Sequence, residues 1–177
     1  MNKNELESKK KNQLPVHFFS QQADKISSLE EFGSDVIRLD VGSPDLPPPD
    51  EVIGALIENS KNEHAHGYQS HAGTDALRTA WSEWYAERYA VELIPERQVL
   101  PLIGSKEGIF HLPLAYLNRG DIVLVPDPGY ATYSRGALVA GGEIVNFNLD
   151  EDNNYLPQFD KIPDQIARRA RMMWLNY

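Results

Sequence analysis

The chain has 177 residues, enough for one domain with a real core or for part of a larger one. Its 41% hydrophobic and 24% charged residues are those of a globular protein, and a net charge of −9 leaves no evident basic face for a nucleic acid. Cysteine is absent, which excludes disulfides and thiolate metal sites. Residues 1–12 are polar and no apolar run is long enough to span a bilayer, so the expectation is a cytoplasmic chain with no membrane partner.

Residues 1–13 read as a mobile arm. Phe18, Phe19, Ile26, Leu29 and Phe32 can share one side of a short helix, and residues 36–41 read as a strand. Leu46-Pro47-Pro48-Pro49 is a rigid connector, with Pro49 suited to the first turn of a helix whose apolar face is Val52, Ile53, Leu56 and Ile57. Residues 61–73 are polar loop. A helix over about 74–89 carries a stripe of Leu77, Trp81, Trp84 and Arg88, and its tryptophans are expected in the core.

The apolar run at 99–103 is predicted to be a strand, at a sheet edge because of Pro101. A helix follows, with Ile109, Leu112 and Tyr116 on one face and a kink expected at Pro113. Residues 122–125 form a continuous apolar strand, the pattern of burial on both faces. Residues 130–140 are a helix closed by Gly141-Gly142, and residues 143–147 a strand. A turn at 153–157, a helix at 163–169 and the start of a buried strand at 172–175 complete the chain. Strands alternating with helices predict a parallel, doubly wound α/β sheet.

Gly104-Ser105-Lys106-Glu107-Gly108 follows an apolar run and opens a helix. The first N–H groups of a helix lack carbonyl partners and lie at its positive end, so the segment can hold a phosphate, with the Ser105 hydroxyl as a further donor. No cluster calls for a metal. The nucleotide-binding patterns G-x-x-x-x-G-K-[ST] and G-x-G-x-x-G are absent, which argues against a nucleotide-binding α/β domain.

Four segments in order carry a family likeness: Gly42 with Pro44-Asp45; Tyr68 with Gly73 and Leu77-Arg78; Gly104-Ser105-Lys106-Glu107-Gly108; and Pro126-Asp127-Pro128-Gly129-Tyr130 with Tyr133. The set resembles the class I/II aminotransferases, pyridoxal-phosphate enzymes of the aspartate aminotransferase fold, over about residues 36–177. The resemblance implies a fold-type I transferase. Residues 1–45 would be an N-terminal arm with part of the small domain, and residues 46–177 the first, incomplete part of the large cofactor-binding domain. The segment around Gly104 looks most like the diaminopimelate-type branch.

By the same resemblance, Gly104, Ser105 and Lys106 would hold the cofactor phosphate, although many family members have Thr, Gln or Ala where Lys106 stands. Tyr130 would stack on the pyridine ring, Tyr68 would reach the phosphate held by the other subunit of a homodimer, and Gly42 would lie beside the substrate carboxylate. Tyr133 is expected to be structural. The parent reaction would move an amino group from an amino acid to a 2-oxo acid. The Schiff-base lysine, the aspartate at the pyridine nitrogen and the arginine for the substrate carboxylate match no residue of this chain. The chain is therefore expected to hold no catalytic residue and to be inactive alone. A lyase or synthase of the same fold and a truncated, non-catalytic protein remain as alternatives.

Overall fold

The computed structural model describes residues 18–176. Their contacts divide them into two units, residues 18–101 and 102–176. The expected arm over residues 1–13 lies outside the described residues.

The first unit is helical. Helix α1 (Phe18–Glu31) buries Ile26, while Phe32 lies beyond its end and is exposed. Helix α2 (Asp50–Ser60) begins directly after Pro49, with Asp50 and Glu51 in the first turn, where the helix dipole favours negative charge. Its apolar face is exposed. A short 3-10 helix (Glu63–His66) interrupts the loop expected over 61–73. Helix α3 (Asp75–Tyr89) is capped by Thr74, whose hydroxyl accepts a hydrogen bond from the Leu77 N–H at 3.3 Å. Trp81 and Trp84 meet edge to face with ring centroids 5.6 Å apart, and both are near half-exposed rather than in the core. With Leu77 and Ala80 they line an open apolar cleft. A further short helix, α4 (Pro95–Gln98), starts on a proline.

Two expected strands do not form. Residues 36–41 take no regular structure, Ile37 and Leu39 are exposed, and no described strand pairs with them. The local polar bonding goes to a side-chain fork instead, with Arg38 donating through Nε and Nη2 to Asp40 at 3.0 and 2.8 Å. The run at 99–103 has no ladder either. Pro101 lacks an N–H, and the Ile103 N–H is taken by the Glu107 carboxylate at 2.7 Å. Beta propensity without a partner strand does not by itself make a strand.

The second unit holds the sheet. Helix α5 (Ser105–Tyr116) passes through Pro113 as one element. Strand β1 (Ile122–Asp127) follows, then helix α6 (Ala131–Ala140) and strand β2 (Glu143–Asn148). Helix α7 (Asp164–Arg169) leads into strand β3 (Ala170–Met173), two residues earlier than the pattern placed it. The order is β2-β1-β3, all parallel, with Ile122 opposite Glu143 on one side and Ala170 on the other.

Strand alternation divides the core. Val123 and Val125 point with Tyr133 and Ala137 to one face, while Ile122 and Leu124 join Phe147 on the other. Both faces of β1 are thus covered, as its unbroken apolar run predicts, and each such side chain contributes about 1.5–3 kcal/mol on burial. Gly141, at φ 87°, ends α6 in the left-handed conformation, and the Gly142 N–H donates to the Ala137 carbonyl at 2.9 Å.

Candidate functional site

Gly104 sits at the N-cap of α5 with φ 79° and ψ 156°. This backbone region is essentially closed to residues with a Cβ. Space is not the constraint, since nothing lies within 4 Å of a Cβ built there. Glycine is needed for the turn that aims α5. The N–H groups of Ser105 and Lys106 then open a twelve-residue helix with no carbonyl partner inside it. Glu107 does not compete for them, because its carboxylate reaches back to the Ile103 N–H. Gly104, Ser105 and Lys106 are all exposed. Together they offer two backbone donors, a hydroxyl and an ammonium to an anion.

Tyr130 arrives from the other direction. Strand β1 ends at Asp127, and Asp127-Pro128-Gly129-Tyr130 turns the chain into α6. A Cβ on Gly129 would stand 2.3 Å from the Pro126 carbonyl oxygen, so this turn admits only glycine as it stands. Tyr130 is the N-cap of α6, and its ring is 40% exposed. The chain passes from β1 to β2 on one side and returns to β3 on the other, and ligands of open α/β sheets gather at the carboxyl ends of strands beside such a reversal.

The two segments meet. The Lys106 Nζ lies 5.9 Å from the centroid of the Tyr130 ring, within cation–π range. The Tyr130 phenol is held below the ordinary tyrosine range, first by a hydrogen bond with the Thr132 side chain and then by the hydrogen bond and charge of Lys106, with partial burial opposing both. The helices behind the site are close-packed through Gly136, where a Cβ would stand 3.0 Å from the Phe110 carbonyl oxygen and 3.3 Å from the Pro113 ring. Tyr133 is buried in the core, as expected for a structural residue.

Gly42 and Tyr68 belong to the first unit. Gly42 lies in the irregular stretch before α2, with open space where a Cβ would be. Tyr68 lies in the loop after the 3-10 helix and is 99% exposed. Sequence reasoning missed Thr132, a buried helix residue with no motif, and Trp174, which lies within an apolar run and stacks on Tyr133. The site can hold a phosphate-like dianion beside a flat aromatic face.

Comparison with known proteins identifies the family. The family model described as aminotransferase class I and II matches residues 34–177. LL-diaminopimelate aminotransferase from Moorella thermoacetica is 44% identical over 171 residues, 97% of this chain and 44% of the relative. The enzyme of that name from Desulforudis audaxviator is 45% identical over 172 residues, with the same coverage of 97% and 44%. Among solved structures, apo-BacF from Bacillus subtilis matches with a TM-score of 0.83 at 40% identity, over 93% of this chain and 42% of that one. Aspartate aminotransferase from Thermotoga maritima matches with a TM-score of 0.82 at 26% identity, over 94% of this chain and 44% of that one. The chain therefore spans less than half the length of the relatives it matches, their N-terminal part. With the family model matching residues 34–177, the chain belongs to the class I and II aminotransferases.

Proposed function

We propose that this chain is the cofactor-anchoring part of an aminotransferase that moves an amino group between an amino acid and a 2-oxo acid with pyridoxal 5′-phosphate. The observation that carries the reading is the meeting of the open start of α5 with Tyr130, bridged by Lys106. The residues fit a phosphorylated pyridine. The glycine-only conformation at Gly104 leaves the Ser105 and Lys106 N–H groups clear, and the exposed Tyr130 ring offers a flat partner. When bound, the cofactor supplies the electron sink for carbanion chemistry at the substrate α-carbon.

The work assigned to this chain's own residues is binding and orientation. The N–H groups of Ser105 and Lys106, with the Ser105 hydroxyl, would hold the phosphate. Tyr130 would fix the plane of the ring and shield one face from water. Lys106 adds positive charge at the phosphate end and is not assigned the bond-making role. That role, and the grip on the substrate carboxylate, are assigned to family positions that match none of these 177 residues, so the chain alone is expected to be inactive. Gly42 is assigned to the substrate carboxylate side, and Tyr68 to the phosphate held by a second copy in a homodimer. The proposed domain assignment is an arm and part of a small domain over 1–45 and the first part of the large domain over 46–177. A cytoplasmic location goes with it. The relatives' shared name points to an LL-diaminopimelate-like donor, a diamino dicarboxylate.

The test uses the protein at its full genomic length. Ser105→Ala removes a hydrogen bond to a charged group and should weaken pyridoxal 5′-phosphate binding by about 1.5–3 kcal/mol, and Tyr130→Ala should weaken it and change the cofactor's absorbance. Unchanged affinity in both variants would dismiss the assigned pocket. With LL-diaminopimelate as donor and 2-oxoglutarate as acceptor, the wild type should form glutamate. Full activity from a species that sediments as a monomer would remove the role given to Tyr68.

A further inference from the structure

Behind the exposed Tyr130 ring, the second unit carries two more aromatic rings in series. The Tyr130 and Tyr133 rings are 5.7 Å apart and close to perpendicular at 84°. Tyr133 and Trp174 are 4.9 Å apart and nearly parallel at 14°. The series starts under the Lys106 ammonium, 5.9 Å from the Tyr130 centroid, and runs inward to the edge of the sheet. Its inner end is fixed by the backbone. The Trp174 N–H donates to the Leu124 carbonyl at 3.0 Å, one residue past the end of β3, and its ring packs with Val123, Val125, Tyr133 and Ala137.

We infer that Tyr133 and Trp174 are positioning residues that set the orientation of the Tyr130 ring through this perpendicular and stacked series. The inference rests on the reading of Tyr130 as the cofactor's aromatic partner. The physical reason is that an N-cap side chain exposed at the end of a strand is free to turn about its χ angles. One ring packed edge to face against it removes that freedom, and a buried stack behind the second ring prevents the second from turning in its place. Tyr133 is 6% exposed and Trp174 half-buried against the core, so packing restrains the inner rings more than Tyr130, which is 40% exposed. The indole Nε1–H of Trp174 is buried and donates to no partner among the described residues, so what holds this side chain is its packing and stacking. A tryptophan whose role is ring geometry should be replaceable by a smaller flat ring and not by a flexible chain of nearly that smaller ring's size.

The protein at its full genomic length supplies two readouts: uptake of pyridoxal 5′-phosphate, and alkaline titration of the tyrosines in the absence of cofactor. The Tyr130 component of that titration is identified by its loss in Tyr130→Phe. Trp174→Met, which removes the flat face and loses bulk as Trp174→Phe also does, should weaken cofactor binding roughly three- to tenfold and move the Tyr130 component to higher pH. Trp174→Phe should restore both to within about twofold of wild type. Tyr133→Leu, which removes the middle ring, is the second disruptive variant should Trp174→Met not fold, with far-UV circular dichroism deciding which variants are folded. The inference is overturned if the folded disruptive variant binds and titrates like wild type. It is equally overturned if Trp174→Phe is as damaging as Trp174→Met, which would make bulk rather than ring geometry the cause. A wild type that takes up no cofactor, while Trp174→Met still shifts the Tyr130 titration, would leave the series standing and remove the cofactor reading.

Discussion

Replacing Gly104 by alanine isolates the one backbone conformation on which the proposed anion site depends. At φ 79° and ψ 156° a residue with a Cβ is strained by about 1–3 kcal/mol, while nothing lies within 4 Å to clash with the new methyl group. The whole local penalty is therefore conformational. Alanine also lowers the entropy of the unfolded chain, which returns about 0.4–1 kcal/mol at any site. Gly67 is the control. Its Cβ would also meet open space, but its φ of −76° and ψ of 173° suit any residue. The unfolded-state gain is common to both substitutions and cancels in their difference, which leaves the strain of about 1–3 kcal/mol. Urea unfolding of the two variants at full genomic length measures that difference through the midpoint and slope. Gly67→Ala should be neutral or slightly stabilised, and Gly104→Ala destabilised. If the Gly104→Ala backbone relaxes instead of bearing the strain, the helix start turns and pyridoxal 5′-phosphate affinity falls. Two variants of equal stability, with cofactor affinity unchanged in both, would refute the argument.

Gly129→Ala places a Cβ 2.3 Å from the Pro126 carbonyl oxygen, a contact no rotamer relieves, and should cost about 1–3 kcal/mol while displacing Tyr130; a wild-type melt with wild-type cofactor affinity would contradict the turn geometry. The Tyr130 phenol, lowered first by Thr132 and then by Lys106, should give an absorbance component below the ordinary tyrosine range that disappears in Tyr130→Phe and moves up in Thr132→Val and in Lys106→Gln. Because the folded value is the lower one, the stability that this ionisation contributes is fully present above the unfolded tyrosine value of about 10 and is lost as pH falls from there through the folded value; a Tyr130→Phe stability difference that grew towards neutral pH would have the wrong sign. The 177-residue chain itself should transaminate nothing, and borohydride reduction with pyridoxal 5′-phosphate should spread label over several lysines; one dominant labelled lysine together with turnover would overturn this.

The elements legible in the sequence are those whose signal is local. Thr74 before α3, Gly141 after α6 and the four apolar residues of β1 each state their structure within a few positions, and each appears where the pattern put it. The two failed strands show the limit of that kind of signal. Residues 36–41 and 99–103 have strand composition, but a strand exists only when another backbone accepts and donates to it. At Ile103 the deciding event is a side chain four residues ahead taking the N–H, which no propensity records. The tryptophans of α3 fail in a related way. Their spacing marks one apolar stripe, and an apolar stripe does not say what covers it.

The site was legible to the extent that it is made of backbone. Gly104 and Gly129 are needed for a φ and for a carbonyl contact, and such needs leave a mark in the sequence because only one residue type meets them. The orientation of Tyr130 is different. It depends on Lys106 from 24 residues upstream, Thr132 from the next turn and, through Tyr133, on Trp174 from another strand, and each of these residue types is common elsewhere in helices and strands. What brings them together is the β2-β1-β3 order, which carries the chain back across β1 so that the end of β3 meets the first turns of α6. An anchor of N–H groups can therefore be read from a dozen residues, while the ring that faces it is positioned by topology and is found only once the sheet is seen.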